Sequence, residues 1–485
     1  MTQERTPAST PPVGTGVPER RGTVDHAVRT ARRVAPAWAK LSFKTRRELL
    51  SRWKRLMVAK LDELTTLITD ETGKPHADAL LEVSLTAEHL HWAARNSHRV
   101  LGTRRVRSGP LGIDQSATLG YEPLGVVGVI GPWNYPLFTP MGSISYALAA
   151  GNAVVFKPSE LTPGVGEWLA TTFAAATGHT GVLQTVTGDG EAGAALCASG
   201  TDKIAFTGSA ETARAVMAQC AQTLTPIVAE CGGKDAMIVD SGADLDAAAE
   251  AAVFGAMGNA GQTCVGVERV YVLDDLHEEF TRKVVALASG ITPGETPDAD
   301  YGPMTTRSQA DTVHRHVVDA LERGGRAVLG GTDSVEGRMV TPVVLVDVPE
   351  DASAVTEETF GPTLVVNRVA DAEEALRRAN ASEYGLGGVV FSGDRRRALR
   401  LARRMRAGAV SIGAVIAFAA IPALPFGGTG ASGFGRIHGA DGLREFSRAK
   451  SVTRRRFRLP INVVSFARTP KDIALTRSLL TRRHG

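Results

Sequence analysis

The chain has 485 residues, 43% apolar residues and a net charge of only +4. That is too long for one hydrophobic core and too weakly charged for a dedicated nucleic-acid binder, so a globular enzyme of two or three packed units is expected. No run of about 18 apolar residues occurs and the N-terminus has no apolar leader pattern, so membrane spanning and export are not expected. The four cysteines, Cys197, Cys220, Cys231 and Cys264, make neither a disulfide framework nor a paired metal-ligand spacing. A reducing cytoplasmic setting and no bound metal are expected.

Residues 1–22 are rich in Thr, Pro, Ser and Gly and read as a disordered tail. From Val24 to about Leu81, Ala35, Trp38, Leu41, Leu49, Leu50, Trp53 and Leu56 recur at helical spacing between Arg and Lys. Ser116–Ile130 reads as a pair of strands. An alternation follows: strand 153–157, helix 164–177, strand 183–186, helix 191–199, strand 203–206, then a helix to about Ala221. Such alternation argues for parallel βαβ units in an open, doubly wound α/β sheet. A second alternating region spans roughly 234–430. From Lys450 onward there are ten Lys/Arg and one acid, Asp472, a local charge of about +9.

Four segments carry possible chemistry. Cys264 closes Asn259-Ala260-Gly261-Gln262-Thr263-Cys264, and Glu230 opens Glu230-Cys231-Gly232-Gly233-Lys234. Asn134 sits in Gly131-Pro132-Trp133-Asn134-Tyr135-Pro136, and a further acid in Glu358-Thr359-Phe360-Gly361-Pro362. Singly, each has a plain reading: an inert buried thiol, a strand-end charge, a turn residue, a solvated loop acid. Together, in this order, they resemble the aldehyde dehydrogenase superfamily (the NAD(P)-dependent, hydrolytic type) over about residues 30–455.

The resemblance implies a division of labour. Cys264 would attack the aldehyde carbon, Asn134 and the Cys264 N–H would receive the oxyanion, and Glu230 would activate the water that hydrolyses the thioester. Relatives that pass the acyl group to coenzyme A generally lack this glutamate, so a free carboxylic acid is expected. Gly208 and Ser209, between a strand and a helix, would face the cofactor pyrophosphate. Lys157 and Glu160 would meet the adenosine ribose. An ionised Glu160 would repel a 2′-phosphate, which favours NAD over NADP. Glu358 would bind the nicotinamide ribose, with Phe360 and Trp133 beside the cofactor. Trp133, Tyr135 and Phe426 are also candidates for a substrate tunnel.

The implied architecture is an NAD-binding domain (23–104 and 124–232), a catalytic domain (233–431), a β oligomerisation flap (105–123 and 440–460) and a basic tail (461–485). A homodimer or homotetramer is expected, with a small aldehyde as substrate and no nucleic acid. The alternatives are a semialdehyde dehydrogenase of the succinate-semialdehyde kind and a non-catalytic scaffold on the same fold. The basic tail reads as a solvated or subunit-contact segment, or as a docking segment for an anionic membrane. Three positions depart from the family pattern. Cys231 stands where Leu is common and is either a small buried hydrophobe or a disulfide partner for Cys264. Gly430 stands where Lys is frequent, and Ser411-Ile412-Gly413 lacks a frequent Asn.

Overall fold

The computed structural model describes residues 17–109, 112–296, 298–459 and 464–485. Most of the N-terminal stretch read as a tail lies outside the described residues. A helix begins within it, at Val17, and runs to Lys40. Helices Phe43–Ala59, Leu61–Thr72 and His76–Leu101 follow. The helical region thus extends well past Leu81. Ser42 caps the second helix by accepting from the Thr45 N–H, and Gly73 ends the third in the left-handed conformation. The spacing of Trp38 and Trp53 has a direct outcome: both are fully buried, edge-on to Phe173. Their indole N–H groups donate to the Leu148 carbonyl (3.0 Å) and Thr172 Oγ1 (3.1 Å), so neither polar atom is stranded.

A six-stranded sheet is ordered Gly433–Phe434, Ile227–Glu230, Lys203–Thr207, Val126–Ile130, Ala153–Lys157, Leu183–Thr185. All pairings are parallel except that of the short first strand. The chain starts in Val126–Ile130, winds outward to Leu183–Thr185, and then crosses to Lys203–Thr207 on the other side. The switch point therefore lies between Val126–Ile130 and Lys203–Thr207. Crevices outside the carboxyl ends of strands at such a point are where open α/β sheets bind ligands. The carboxyl ends here lead into Gly131–Asn134 and Gly208–Ser209.

The second sheet has seven strands, ordered Arg326–Leu329, Val343–Val346, Thr363–Val369, Val267–Leu273, Asp235–Val239, Gly387–Phe391, Ala409–Ile412. Only the first pairing is antiparallel. Its central strands are buried almost throughout, as in a sheet covered on both faces. The fold is α/β with two doubly wound sheets and a small additional β sheet.

The expected pairing within Ser116–Ile130 is replaced by two strands in different sheets. Val126–Ile130 is wholly buried in the six-stranded sheet. Gln115–Pro123, half-buried along its length, pairs with Arg104–Val106 and Ser447–Arg455. The chain divides into two compact units, one of residues up to Val100 with Pro123–Ser447, the other of Leu101–Glu122 with Arg448–Gly485. Helix Gly439–Glu445, read above as the start of the flap, belongs to the first unit because Leu443 and Phe446 are buried there. The segment read as a tail clusters with the second unit and contains a helix, Pro470–His484.

Candidate active site

The segment before strand Val267–Leu273 is conformationally unusual. Asn259, Ala260 and Gly261 lie consecutively at positive φ (55°, 54° and 71°). Two non-glycine residues in succession there cost of order 1–3 kcal/mol each. The turn persists because its surroundings over-determine it. A Cβ on Gly261 would lie 2.1 Å from the carbonyl of Gly361, so the third position must be glycine. Gln262 is buried, donating to the Asn259 carbonyl (3.1 Å) and accepting from the Thr305 N–H (2.9 Å). Cys264 emerges from this turn half-buried and free.

The Asn134 loop is locked onto the same turn. Asn134 Nδ2 donates to the Gln262 carbonyl (2.9 Å), and the Asn134 carbonyl accepts from Asn259 Nδ2 (3.1 Å). An amide nitrogen carries two hydrogens, and the bond to Gln262 uses one. Tyr135 bonds Thr263 through the two hydroxyls at 2.9 Å. Beneath the loop lies a fully buried ion pair that sequence reading missed. Lys74 Nζ is 2.8 Å from Glu82 and donates to the Asn134 carbonyl (2.7 Å). Glu82 also accepts from the N–H groups of Leu137 and Phe138. The available signal was Gly73-Lys74-Pro75, a turn between helices that carries a cation next to a proline.

A second buried pair holds the Glu358 segment. Lys234 pairs with Glu268 and donates to Thr359 Oγ1 (3.0 Å), while Glu268 accepts from the N–H groups of Thr359 and Phe360. Glu358 accepts from the Gly233 N–H at 2.9 Å. Burial, with the nearby Glu268, pushes the Glu358 carboxyl up to about 8. A Cβ on Gly232 would fall 2.1 Å from this carboxylate, which explains a glycine there. Phe360 meets Trp133 edge to face at 5.6 Å.

Cys264, Glu230, Tyr135 and Phe426 line one cavity of about 290 Å³. Glu230 is the last residue of its strand and is buried, not the solvated strand-end charge of the plain reading. Both carboxylate oxygens lack a hydrogen-bond partner among the described residues. Burial raises its pKa well above the usual carboxylate range, against the pull of Arg436. Burial also raises the Cys264 thiol, reinforced by Glu358, Asp235 and Glu230. Cys231 lines the same cavity, but burial and then Glu230 and Glu358 push its thiol up to about 12.

His438 and His89, absent from the sequence reading, pack with ring centroids 4.0 Å apart against Phe138 and Phe426. Burial lowers both pKa values, so the pair is neutral near pH 7.

Trp133, Lys157, Glu160, Gly208, Ser209, Glu358 and Phe360 do not line this cavity. Lys157 ends strand Ala153–Lys157 and is buried, with Glu160 exposed at 3.5 Å. Gly208 and Ser209 precede helix Ala210–Ala221, and Ser209 caps it through the Thr212 N–H. A helix N-terminus at the switch point, a buried cation and a carboxylate beside it fit a dinucleotide: donors for pyrophosphate and acceptors for ribose hydroxyls.

The aldehyde dehydrogenase family model matches residues 2–452. The chain belongs to that family. It is 40% identical over 432 residues to a Methylomonas 4,4'-diapolycopene aldehyde oxidase, covering 89% of this chain and 81% of that protein. It is 35% identical over 454 residues to the glutarate-semialdehyde dehydrogenase of Pseudomonas putida, covering 92% of each. The crystal structure of an NADP dependent enzyme from E. coli superposes with a TM-score of 0.85 at 34% identity, over 89% of this chain and 90% of that one. The protein is an NAD(P)-dependent oxidoreductase that oxidises an aldehyde.

Gly261→Ala is the sharpest test of the strained turn. The added methyl has no room against Gly361, so the Cys264 loop must shift. Aldehyde oxidation is expected to fall at least about 10²-fold, the scale of an ångström-sized misplacement. Thermal unfolding should move much less than activity; equal turnover would show that the loop tolerates a different backbone.

Proposed function

We propose that the protein oxidises an apolar aldehyde to its carboxylic acid with NAD, through a covalent thioester on Cys264. The composition of the cavity wall carries the substrate reading. Leu81, Leu85, Phe138, Phe254, Val265 and Phe426 face it, and among the described residues no Lys or Arg lines it. Its charged lining residues are Asp78, Glu82 and Glu230, all acidic. A semialdehyde carrying a carboxylate would enter a site with no lining cation to receive it. The likeness to the diapolycopene aldehyde oxidase supports the apolar reading; the likeness to the glutarate-semialdehyde enzyme makes carboxylated aldehydes the necessary comparison.

The Cys264 sulfur attacks the aldehyde carbon and gives a thiohemiacetal. The oxyanion receives the Cys264 N–H and the second N–H of Asn134. The nicotinamide cofactor supplies a two-electron hydride acceptor, and the carbon left on Cys264 is a thioester. Glu230, with no competing hydrogen bond, accepts a proton from the water that attacks the thioester, releasing acid and free thiol. Glu358 and the Lys157–Glu160 pair hold the two riboses, and Gly208–Ser209 the pyrophosphate. We place the chain in a homodimer or homotetramer, supported by the general behaviour of the family, and in a reducing cytoplasm, supported by its four free thiols.

An NADH-formation screen tests the substrate. The kcat/KM of medium-chain aliphatic or aromatic aldehydes is expected to exceed that of succinate semialdehyde by roughly 10²-fold, as for a carboxylate placed without a partner. The reverse order would move the protein to the semialdehyde reading, and Cys264→Ala should be inactive on every substrate.

Glu230→Gln should give a burst of NADH followed by a slow steady rate, since the thioester forms but is not hydrolysed. Because only the carboxylate accepts a proton and burial raises its pKa, wild-type hydrolysis should increase as pH rises through that raised value. The variant's steady rate should lack this limb. A wild-type steady rate in the variant would assign the base elsewhere.

Glu160→Ser removes both an acceptor for the ribose hydroxyls and a charge that repels a 2′-phosphate. The kcat/KM ratio of NAD to NADP should fall about tenfold or more at fixed aldehyde and ionic strength. An unchanged ratio, or a wild type that already prefers NADP, would remove Glu160 from cofactor selection.

A further inference from the structure

We propose that the basic residues of 456–459 and 464–485 dock the enzyme on an anionic lipid bilayer. Before them, three cations of the second unit have acid partners: Arg448 and Lys450 lie 3.6 and 2.8 Å from Glu122, and Arg455 3.6 Å from Asp114. Beyond Arg455 there are seven more Lys/Arg residues, and none forms an ion pair among the described residues. The single acid, Asp472, is engaged in a capping box with Thr469 at the start of helix Pro470–His484.

The same segment leaves large apolar side chains in water. Val464 and Phe466 stand fully exposed, and Phe457 is exposed beside the Arg456 guanidinium. Helix Pro470–His484 buries none of its residues, so Ile473, Leu479 and Leu480 are all open to solvent. Its four-residue terminal run Thr481–His484 adds two arginines next to Leu479 and Leu480.

Cations interleaved with uncovered aromatic and aliphatic groups fit one kind of surface best. Lipid phosphates take the cations while the headgroup boundary takes the apolar side chains. A nucleic acid would satisfy the cations and leave Phe466 and the leucines in water. A second copy of the segment would cover the apolar groups but set seven cations against seven. No helix among the described residues is long and apolar enough to cross a membrane, so the contact is peripheral.

Docking rests on this segment alone. Its consequence rests on the substrate reading: an apolar aldehyde partitions into a bilayer, so docking brings the cavity to its substrate. The test needs no substrate, so it can fail independently of that reading.

The full chain is sedimented with vesicles of phosphatidylcholine, alone or with about 30% phosphatidylglycerol, at about 50 and 500 mM salt. The bound-to-free ratio is expected to be roughly tenfold or more higher on the anionic vesicles at low salt, and to collapse at high salt. Arg477→Gln/Arg482→Gln/Arg483→Gln should lose most of this binding. Phe466→Ser/Leu480→Ser should weaken it at least about threefold, with unchanged turnover of a short water-soluble aldehyde. Four results would overturn the proposal, the first three being equal binding to neutral vesicles, unchanged binding by the Gln variant, and a smaller oligomer for the Ser variant on size exclusion. The third would make a second copy the occupant. The fourth, displacement from the vesicles by short duplex DNA at equal phosphate, would make nucleic acid the partner instead.

Discussion

The left-handed run Asn259-Ala260-Gly261 is the constraint on which the rest of the site depends. It aims Cys264 into the cavity, and it is stable only while three other segments press against it. Gly361 leaves no space for a side chain at Gly261, Asn134 exchanges hydrogen bonds with Gln262 and Asn259, and Thr305 fixes the Gln262 amide. Two of those segments also carry a proposed functional group, Asn134 in one and Glu358 in the other. The proposed nucleophile, oxyanion donor and ribose-binding acid are thus parts of one packed unit. Moving any one of them moves the others.

Two buried ion pairs anchor this unit from outside the chemistry. Lys74–Glu82 holds the loop of Asn134 by its carbonyl and by the N–H groups of Leu137 and Phe138. Lys234–Glu268 holds Thr359 and Phe360 in the same manner. Taking such charges out of water is expensive, and their mutual attraction offsets the expense only when further hydrogen bonds complete the geometry. Here the further bonds go to loop backbone, apart from that of Lys234 to the Thr359 hydroxyl. The pairs serve position more than net stability.

Against this rigid polar frame the cavity is apolar and faintly acidic. Glu230 is the exception: a buried carboxylate without a protein partner. Burial costs such a group its charge, which suits a base that is needed only when water and thioester are present. The ring of His438, backed by His89, extends the apolar wall. Among the described residues no Lys or Arg lines the cavity, so a carboxylated aldehyde would find no cation there.

The sequence by itself determined the parallel alternation of strands and helices, the buried tryptophans and the order of the four reactive segments. These are local signals: apolar period, glycine placement and short motifs around Cys264, Glu230, Asn134 and Glu358. Only the tertiary structure decided which strands share a sheet. Gln115–Pro123 and Val126–Ile130 are neighbours in sequence but differ in burial, and burial selects the partner. Only the fold brought Lys74 and Glu82 under Asn134, and Glu268 under Thr359. Their function lies in hydrogen bonds to distant backbone, which no local pattern records. The charge of Glu230 and the sign of the cavity wall were likewise invisible, because desolvation belongs to the packed interior and not to the residue.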